Sequence, residues 1–525
     1  METLISRSRS NNSKRNLVFG LILRIVSIVL PFVSRTIIIR TLGVEYNGIG
    51  SLFSSILTVL SLFELGLGSA IVFGMYKPVA ENDVAKVNAY LAFYKRCYLI
   101  IGVVVTSIGC ILIPFLSFLI KGSYPTNVNI YYLYLLYLAN SAISYFFFSY
   151  RSSVLSATQR NDIISKISII VLLIKELSQI VVLLLFKDYL VYTLILPIST
   201  LLANYLQFRS AKKMYPSVHP DGNLEKAEIK TITEKIVGLL FQKIGSIVLS
   251  SVDTIVISAF LGLTVLGLFN NYHYIISCLI GIFSIIPSAI VPSIGNSIQT
   301  ESKAKNYKLF KLFHFMYIWS IVFCCSCLLS LYQDFISLWI GDEYLLEFGI
   351  VICLTLYFYT YKNTEICYLF REAAGLWSEW KYVALIAAIS NLIINIILVR
   401  YIGLYGILIS TIICKLFIYL PFFAYPLFRV YFQSKKKFYK YIVNQILYMI
   451  VAAIICLITY LFCSIIKQRG ILFFSFKILI CLIVPNLLMV IAFCKTKVFK
   501  ELIIFLKNNI LPQKYFNRKK EKPDD

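Results

Sequence analysis

Arg24, Arg35, Lys175, Lys243 and Lys415 lie in stretches otherwise apolar enough to cross a bilayer, and so do the acids Glu64 and Asp253. In "LILRIVSIVLPFVSRTIIIRTLG" (21–43), Arg24 and Arg35 interrupt an apolar helix. An arginine at a helix centre costs about 2.5–3.5 kcal/mol on an insertion scale, so a charge kept there is held by a partner or used. Arg35 follows Arg24 by eleven residues, about three helical turns, which puts both on one helix face. A guanidinium meets a phosphate or carboxylate with a planar fork, a lysine with a point charge. The other role open to the two arginines is snorkelling, Arg24 to the inner surface and Arg35 to the outer. Glu64 and Asp253 can pair the cations, bind a coupling ion such as Na+, or carry a proton; these alternatives stay open.

The remaining intramembrane charges divide by spacing. Lys175 and Glu176 are adjacent on a helix and are expected to point to different sides, leaving Lys175 for a cavity. Lys362 and Glu365 are three apart and are expected to pair. Lys415 has no local acid, which makes it a binding candidate. Lys166, Asp334 and Lys477 fall near span ends and are expected to reach the interface. Neutral donors and acceptors come from Asn140, Ser141, Ser144, Gln179, Asn204, Gln242, Asn270, Asn271, Asn391 and Asn395. Most are expected to face the interior, some to bridge helices.

The elements that position these residues are long apolar helices. The chain is 59% hydrophobic and only 14% charged, with mean hydropathy +0.81, well beyond the composition of soluble domains. In lipid a helix satisfies its own backbone hydrogen bonds. The expectation is an all-α polytopic membrane protein with fourteen spans, near 17–39, 47–72, 97–119, 129–150, 163–186, 189–208, 236–260, 267–292, 312–338, 348–370, 382–399, 402–428, 441–466 and 471–493. The first apolar run is too long for a signal-peptide core and has no small-residue cleavage site, so the first span is expected to stay.

The net charge of +25 follows topology. With the N-terminus inside, 36 of the 50 Lys and Arg are cytoplasmic, 6 lie in external loops and 8 within spans. This is the asymmetry of the positive-inside rule, and it places both termini in the cytoplasm, with some contact to anionic lipid. It excludes a nucleic-acid role. The thirteen cysteines sit mostly in apolar segments, "CCSC" (324–327) being the densest group, and read as packing residues. The three histidines form no ligand spacing, and no metal or resident cofactor is expected.

Sliding the chain on itself by 219 residues aligns "RIVSIV" (24–29) with "KIGSIV" (243–248), "LGVEYNG" (42–48) with "LGLTVLG" (261–267) and "SAIV" (69–72) with "SAIV" (288–291). Six spans separate the copies, so the halves are parallel, related by an axis along the membrane normal, with a cavity expected between them. Arg24 falls on Lys243, each about seven residues or roughly 10 Å from the cytoplasmic end of its helix. The expected organisation is a cytoplasmic segment 1–16, an N-terminal six-helix bundle 17–210, a cytoplasmic linker 211–235, a C-terminal six-helix bundle 236–428, accessory helices 429–494 and a basic tail 495–525.

The segments "RTLGVEYNGIGSLFSSILTVLSLFELGLGSAI" (40–71), "SSVDTIVISAFLGLTVLGLFNNYHYI" (250–275) and "NLIINIILVRYIGLYGILISTII" (391–413) resemble the polysaccharide transporter family. These are the repeat-unit flippases of the multidrug/oligosaccharidyl-lipid/polysaccharide exporter superfamily, which serve O-antigen, capsule and exopolysaccharide synthesis. The likeness extends over nearly the whole chain. It implies a MATE-like, V-shaped pair of bundles with two extra C-terminal helices, in the bacterial plasma membrane. It also implies movement of undecaprenyl-diphosphate-linked oligosaccharide to the outer leaflet by alternating access through a cation-lined cavity. Arg24, Glu64 and Asp253 stand at positions matching the family pattern. Partners implied are the lipid-linked glycan, phospholipid and other polysaccharide-assembly membrane proteins. The motifs, spaced Gly and apolar residues, name the superfamily better than the substrate. A lipid II flippase and a multidrug antiporter are the alternatives within it, the eight intramembrane cations against five acids disfavouring the antiporter. No P-loop, HExxH or GxSxG is present, so no enzyme is expected; a membrane polysaccharide polymerase, the rival of another class, would need a larger external loop or clustered His and Asp.

Overall fold

The computed structural model describes residues 9–64, 66–122, 124–376 and 382–510; within its helices the side chains of 9–11, 13, 14, 63, 234–243, 246, 248–250, 285–289, 292 and 508–510 are outside the description. The chain forms α1 (Arg9–Thr41), α2 (Val44–Leu60), α3 (Leu67–Glu81), α4 (Val84–Leu112), α5 (Ile130–Phe146), α6 (Ser152–Ala157), α7 (Asn161–Leu185), α8 (Tyr189–Met214), α9 (Lys226–Leu261) and α10 (Leu263–Phe283). There follow α11 (Ile285–Thr300), α12 (Lys303–Trp339), α13 (Phe348–Lys362), α14 (Glu365–Ala373), α15 (Val383–Ile402), α16 (Leu404–Ile413), α17 (Leu420–Pro426), α18 (Lys435–Ser464), α19 (Ile471–Phe493) and α20 (Lys497–Ile510).

Polar residues start the helices. Asp83 caps α4 through the Lys86 amide at 2.9 Å, Asp188 caps α8 through the Leu190 amide at 2.7 Å, and Glu225 and Glu228 form a capping box on α9. Ten described helices are long and apolar enough to cross a membrane, or eleven when the bent pair Ile130–Phe146 and Ser149–Ala157 counts as one span. The three expected spans not among them are 47–72, 236–260 and 348–370. The first is broken by the 3-10 turn Ser61–Glu64 between α2 and α3, and the last breaks between α13 and α14. The middle one lies in α9, where only Ser251–Leu261 stands out as an apolar stretch among the described residues.

Contacts divide the chain into two compact units, Met1–Gly281 with Lys381–Thr411, and Ile282–Trp380 with Ile412–Asp525. In the first, α1 packs along α7, α15 along α9, and α8 against α5 and α7. In the second, α12 is the central helix, flanked by α13, α18 and α19. The connection after α8 is strapped onto the first unit. Arg151 donates to the Val218 carbonyl at 2.8 Å, the His219 amide to Asn88 at 2.8 Å, and Lys86 lies 2.8 Å from Glu228.

The internal repeat is visible as local geometry. Gly43 and Gly262, 219 residues apart, have φ of 113° and 92° and open α2 and α10. Their amides close on Ile38 and Ile257 at 3.2 and 3.1 Å, again equivalent positions. α2 and α10 then cross with reciprocal contacts. A Cβ on Gly48 would meet the Leu263 carbonyl oxygen, and one on Gly267 the Val44 carbonyl oxygen. Beside them Thr264 donates to Glu45 at 3.1 Å, another pair of equivalents. Each copy gives what it receives, the signature of a contact about a two-fold axis. Only glycine allows the two backbones this close.

Candidate functional site

α1 presents its two arginines to α10. A Cβ on Gly281 would coincide with the Arg24 guanidinium, so this side chain lies against the bare backbone there. Arg35 sits 4.9 Å over the ring of Tyr274 and donates to Asn271 at 3.4 Å. Tyr274 in turn donates to the Ile28 carbonyl at 2.6 Å, which fixes its ring between the two arginines along α1. Among the described residues neither arginine meets a carboxylate within ion-pair distance. Their charge is therefore available to a ligand. The side chain of Lys243, expected to complete a pair with Arg24, lies outside the description, as does that of Gln242.

Lys175 is not free as its helix position suggested. Its ammonium returns to the neighbouring Glu176 at 2.9 Å, because a four-carbon stem can bend back across the angle between adjacent helix positions. Buried Glu176 also accepts from Ser34 of α1. This group ties α1 to α7.

Asp253 of α9 is the centre of a buried polar network. Its carboxylate accepts from Asn395 Nδ2 at 2.7 Å and from Thr411 Oγ1 at 3.1 Å. Asn391 donates to Thr411 at 2.9 Å, Asn395 donates to the Asn391 oxygen at 3.2 Å, and Ser410 donates to the Asn395 oxygen. All five side chains are buried. No cation joins them among the described residues, and a bare carboxylate in such a place is costly. Asp253 with the oxygens of Asn391, Asn395, Ser410 and Thr411 makes a donor set fit for a proton or a small monovalent cation. The two asparagines, among the neutral donors and acceptors expected in the interior, are committed to this network. Asn140 and Gln179 likewise bridge helices, to Thr200 at 2.6 Å and to the Tyr192 carbonyl at 3.1 Å.

Glu64 lies at the break between α2 and α3 and accepts from Tyr98 at 2.5 Å, with Tyr94 donating to Tyr98 at 2.7 Å. It meets hydroxyls, and no cation among the described residues. Neither tyrosine stood out in the sequence, although their four-residue spacing puts them on one face of α4.

In the second unit Lys415 lies in the π-helical segment Cys414–Tyr419. Its ammonium is 4.5 Å from the ring of Tyr361 and 4.4 Å from that of Tyr419. Lys362 and Glu365 pair at 3.2 Å, as their spacing predicts. Lys477 and Asp334, both expected near span ends, meet at 2.5 Å. Lys166 lies 3.9 Å from Asp162 and over the ring of Phe19 at 4.3 Å. Among the described residues no group of three His, Cys, Asp or Glu side chains has the geometry to hold a metal ion.

The sequence matches the family described as "Polysaccharide biosynthesis protein" over residues 13–297. No curated protein matches it. Among solved structures, the lipid II flippase MurJ in an inward closed conformation has a TM-score of 0.61 at 17% identity, over 91% of this chain and 99% of that one. An inward-facing multidrug resistance MATE family transporter of the MOP superfamily has a TM-score of 0.57 at 13% identity, over 78% and 97%. A MOP superfamily transporter from Pyrococcus furiosus, whose reverse pocket polarity is said to suggest a different function, has 0.52 at 15%, over 82% and 97%. At these identities the likeness is one of fold: an all-α, multi-pass membrane fold of the MATE type, which in these structures is that of transporters and not of enzymes.

Proposed function

The chain belongs to the polysaccharide biosynthesis protein family, and from that premise we propose that it is a flippase for undecaprenyl-diphosphate-linked oligosaccharide repeat units. It moves them from the cytoplasmic to the outer leaflet of the bacterial plasma membrane for surface polysaccharide synthesis. The observation that carries this reading is the pair of arginines on α1, aligned with Asn271, Tyr274 and Gly281 and without a carboxylate partner among the described residues. A diphosphate drawn into hydrocarbon must exchange its hydration for donors and positive charge, and guanidinium forks supply both.

Movement is by alternating access between two parallel six-helix bundles, 17–210 and 236–428, with 429–494 as accessory helices and both termini cytoplasmic. The reciprocal crossing of Gly48 and Gly267 supports the parallel repeat. Lys243, as the repeat counterpart of Arg24, joins the same anion site. Asp253 and its neutral partners take the coupling proton or Na+, since they hold an acid that meets no cation among the described residues; Glu64 with its tyrosines is the second acid of this kind. A ligand that neutralises the arginines shifts the balance between the two access states only by its differential affinity for them.

In a strain carrying a clean deletion, the lipid-linked repeat unit should accumulate on the cytoplasmic leaflet and surface glycan should be lost. Arg24→Ala and Arg35→Ala should each reproduce this at wild-type protein abundance. Normal surface glycan in a deletion strain without a second exporter refutes the reading.

A further inference from the structure

Lys415 is more than nine-tenths buried, yet among the described residues its ammonium makes neither an ion pair nor a hydrogen bond. Its neighbours are the faces of Tyr361 and Tyr419. Ring faces attract an ammonium and leave its N–H donors unused. The acid nearby, Glu365, is already paired with Lys362 at 3.2 Å, so it does not engage the Lys415 ammonium.

The rings around Lys415 form a built surface. Tyr419 stacks on Phe423 at 4.7 Å and 10°, and Phe423 stacks on Tyr368 at 6.0 Å and 15°. Arg371 covers the Phe423 ring at 4.4 Å. Tyr361, Tyr368 and Tyr419 are half-exposed, whereas Lys415 beneath them is buried. The lysine thus lies at the foot of these rings, in a cleft between Tyr361 and Tyr419. The chain adopts π-helical geometry over Cys414–Tyr419, a departure from α-helix found frequently at functional sites.

We propose that this cleft is a subsite for an acidic sugar, its carboxylate on the Lys415 ammonium and the apolar face of its ring on Tyr361 or Tyr419. The proposal rests on the flippase reading and extends it from the lipid diphosphate to the glycan. One ammonium between aromatic walls suits a monoanionic ring, whereas a diphosphate carries more charge and is met better by guanidinium forks. Lys415, a binding candidate by its lack of a local acid, becomes a specificity residue.

The full-length protein in lipid nanodiscs tests this with three probes: a glucuronate-containing disaccharide, its neutral glucose counterpart and inorganic pyrophosphate. Lys415→Met should weaken binding of the acidic disaccharide by at least about tenfold, the loss of one charge-assisted hydrogen bond, and leave pyrophosphate binding unchanged. Lys415→Arg, which keeps the charge, should retain most of the affinity, and Tyr419→Leu should weaken both disaccharides alike. Undiminished binding of the acidic disaccharide by Lys415→Met overturns the proposal, as does an equal loss of pyrophosphate, which would make Lys415 part of the diphosphate site. Wild-type protein that binds pyrophosphate but neither disaccharide overturns this subsite alone. Wild-type protein that fails to bind pyrophosphate counts against the flippase reading itself.

Discussion

Lys477 and Lys415 lie in the same compact unit and both are buried within apolar helices, but their surroundings oppose each other. Lys477 on α19 meets Asp334 of α12 at 2.5 Å, and its charge is consumed in joining two helices. Lys415 meets two tyrosine rings and keeps its charge. The first unit repeats the contrast. Lys175 is cancelled by Glu176, while Arg35 rests on Tyr274 and an asparagine. An intramembrane charge with an opposite partner is structural cement; one surrounded by rings, amides and hydroxyls is a charge held ready for something that arrives.

The contrast can be broken most severely at the consumed pairs. Asp334→Ala leaves Lys477 buried without a partner and should cost about 3–5 kcal/mol, read as a large fall in the thermal midpoint in detergent. Adding Lys477→Met should restore most of that loss, because two matched apolar groups replace a matched ion pair. If the double variant is no more stable than the single one, the pair is not the source of the stability.

A smaller effect is expected where the partner is neutral. Thr411→Val removes one of the two donors to Asp253 and should cost about 1–3 kcal/mol, the range for a buried polar atom left unsatisfied. A variant as stable as the wild type would mean that the network reorganises around Asn395. The exposed pair Lys305–Glu301, 2.5 Å apart on the surface, sets the lower end. Lys305→Ala should shift stability by less than about 0.5 kcal/mol and less still in high salt, since water screens such a pair. A shift as large as that of Asp334→Ala would abolish the distinction.

What could be read beforehand follows the range of the signal. Helix placement and the Lys362–Glu365 pair depend on residues within a turn or two of each other, and hydropathy and local spacing record them directly. The break at Ser61–Glu64 was missed because "SLFELGLG" keeps the hydropathy of a continuous span while its glycines permit a turn. The Asp253 network is half legible: the acid stands out, but nothing along the chain assigns Asn391 and Asn395 to it, since no local pattern says which way an amide faces. Tyr98, Tyr274, Tyr361 and Tyr419 were hidden among 37 tyrosines, most of which suit a membrane protein's core or interface equally well.

The amino-acid sequence by itself determined that this chain is a multi-pass helical membrane protein, where its charges fall along the spans, and that residues 219 apart correspond. It could do so because composition, periodicity and self-similarity are properties of the chain as a string. Tertiary structure alone decided which charges are spent. Asp334 and Lys477 are 143 residues apart, and Asp253 and Thr411 158, so their meeting depends on which helix packs beside which. That choice comes from side-chain shape and close backbone approach, as at Gly48 and Gly267, and no local pattern encodes it.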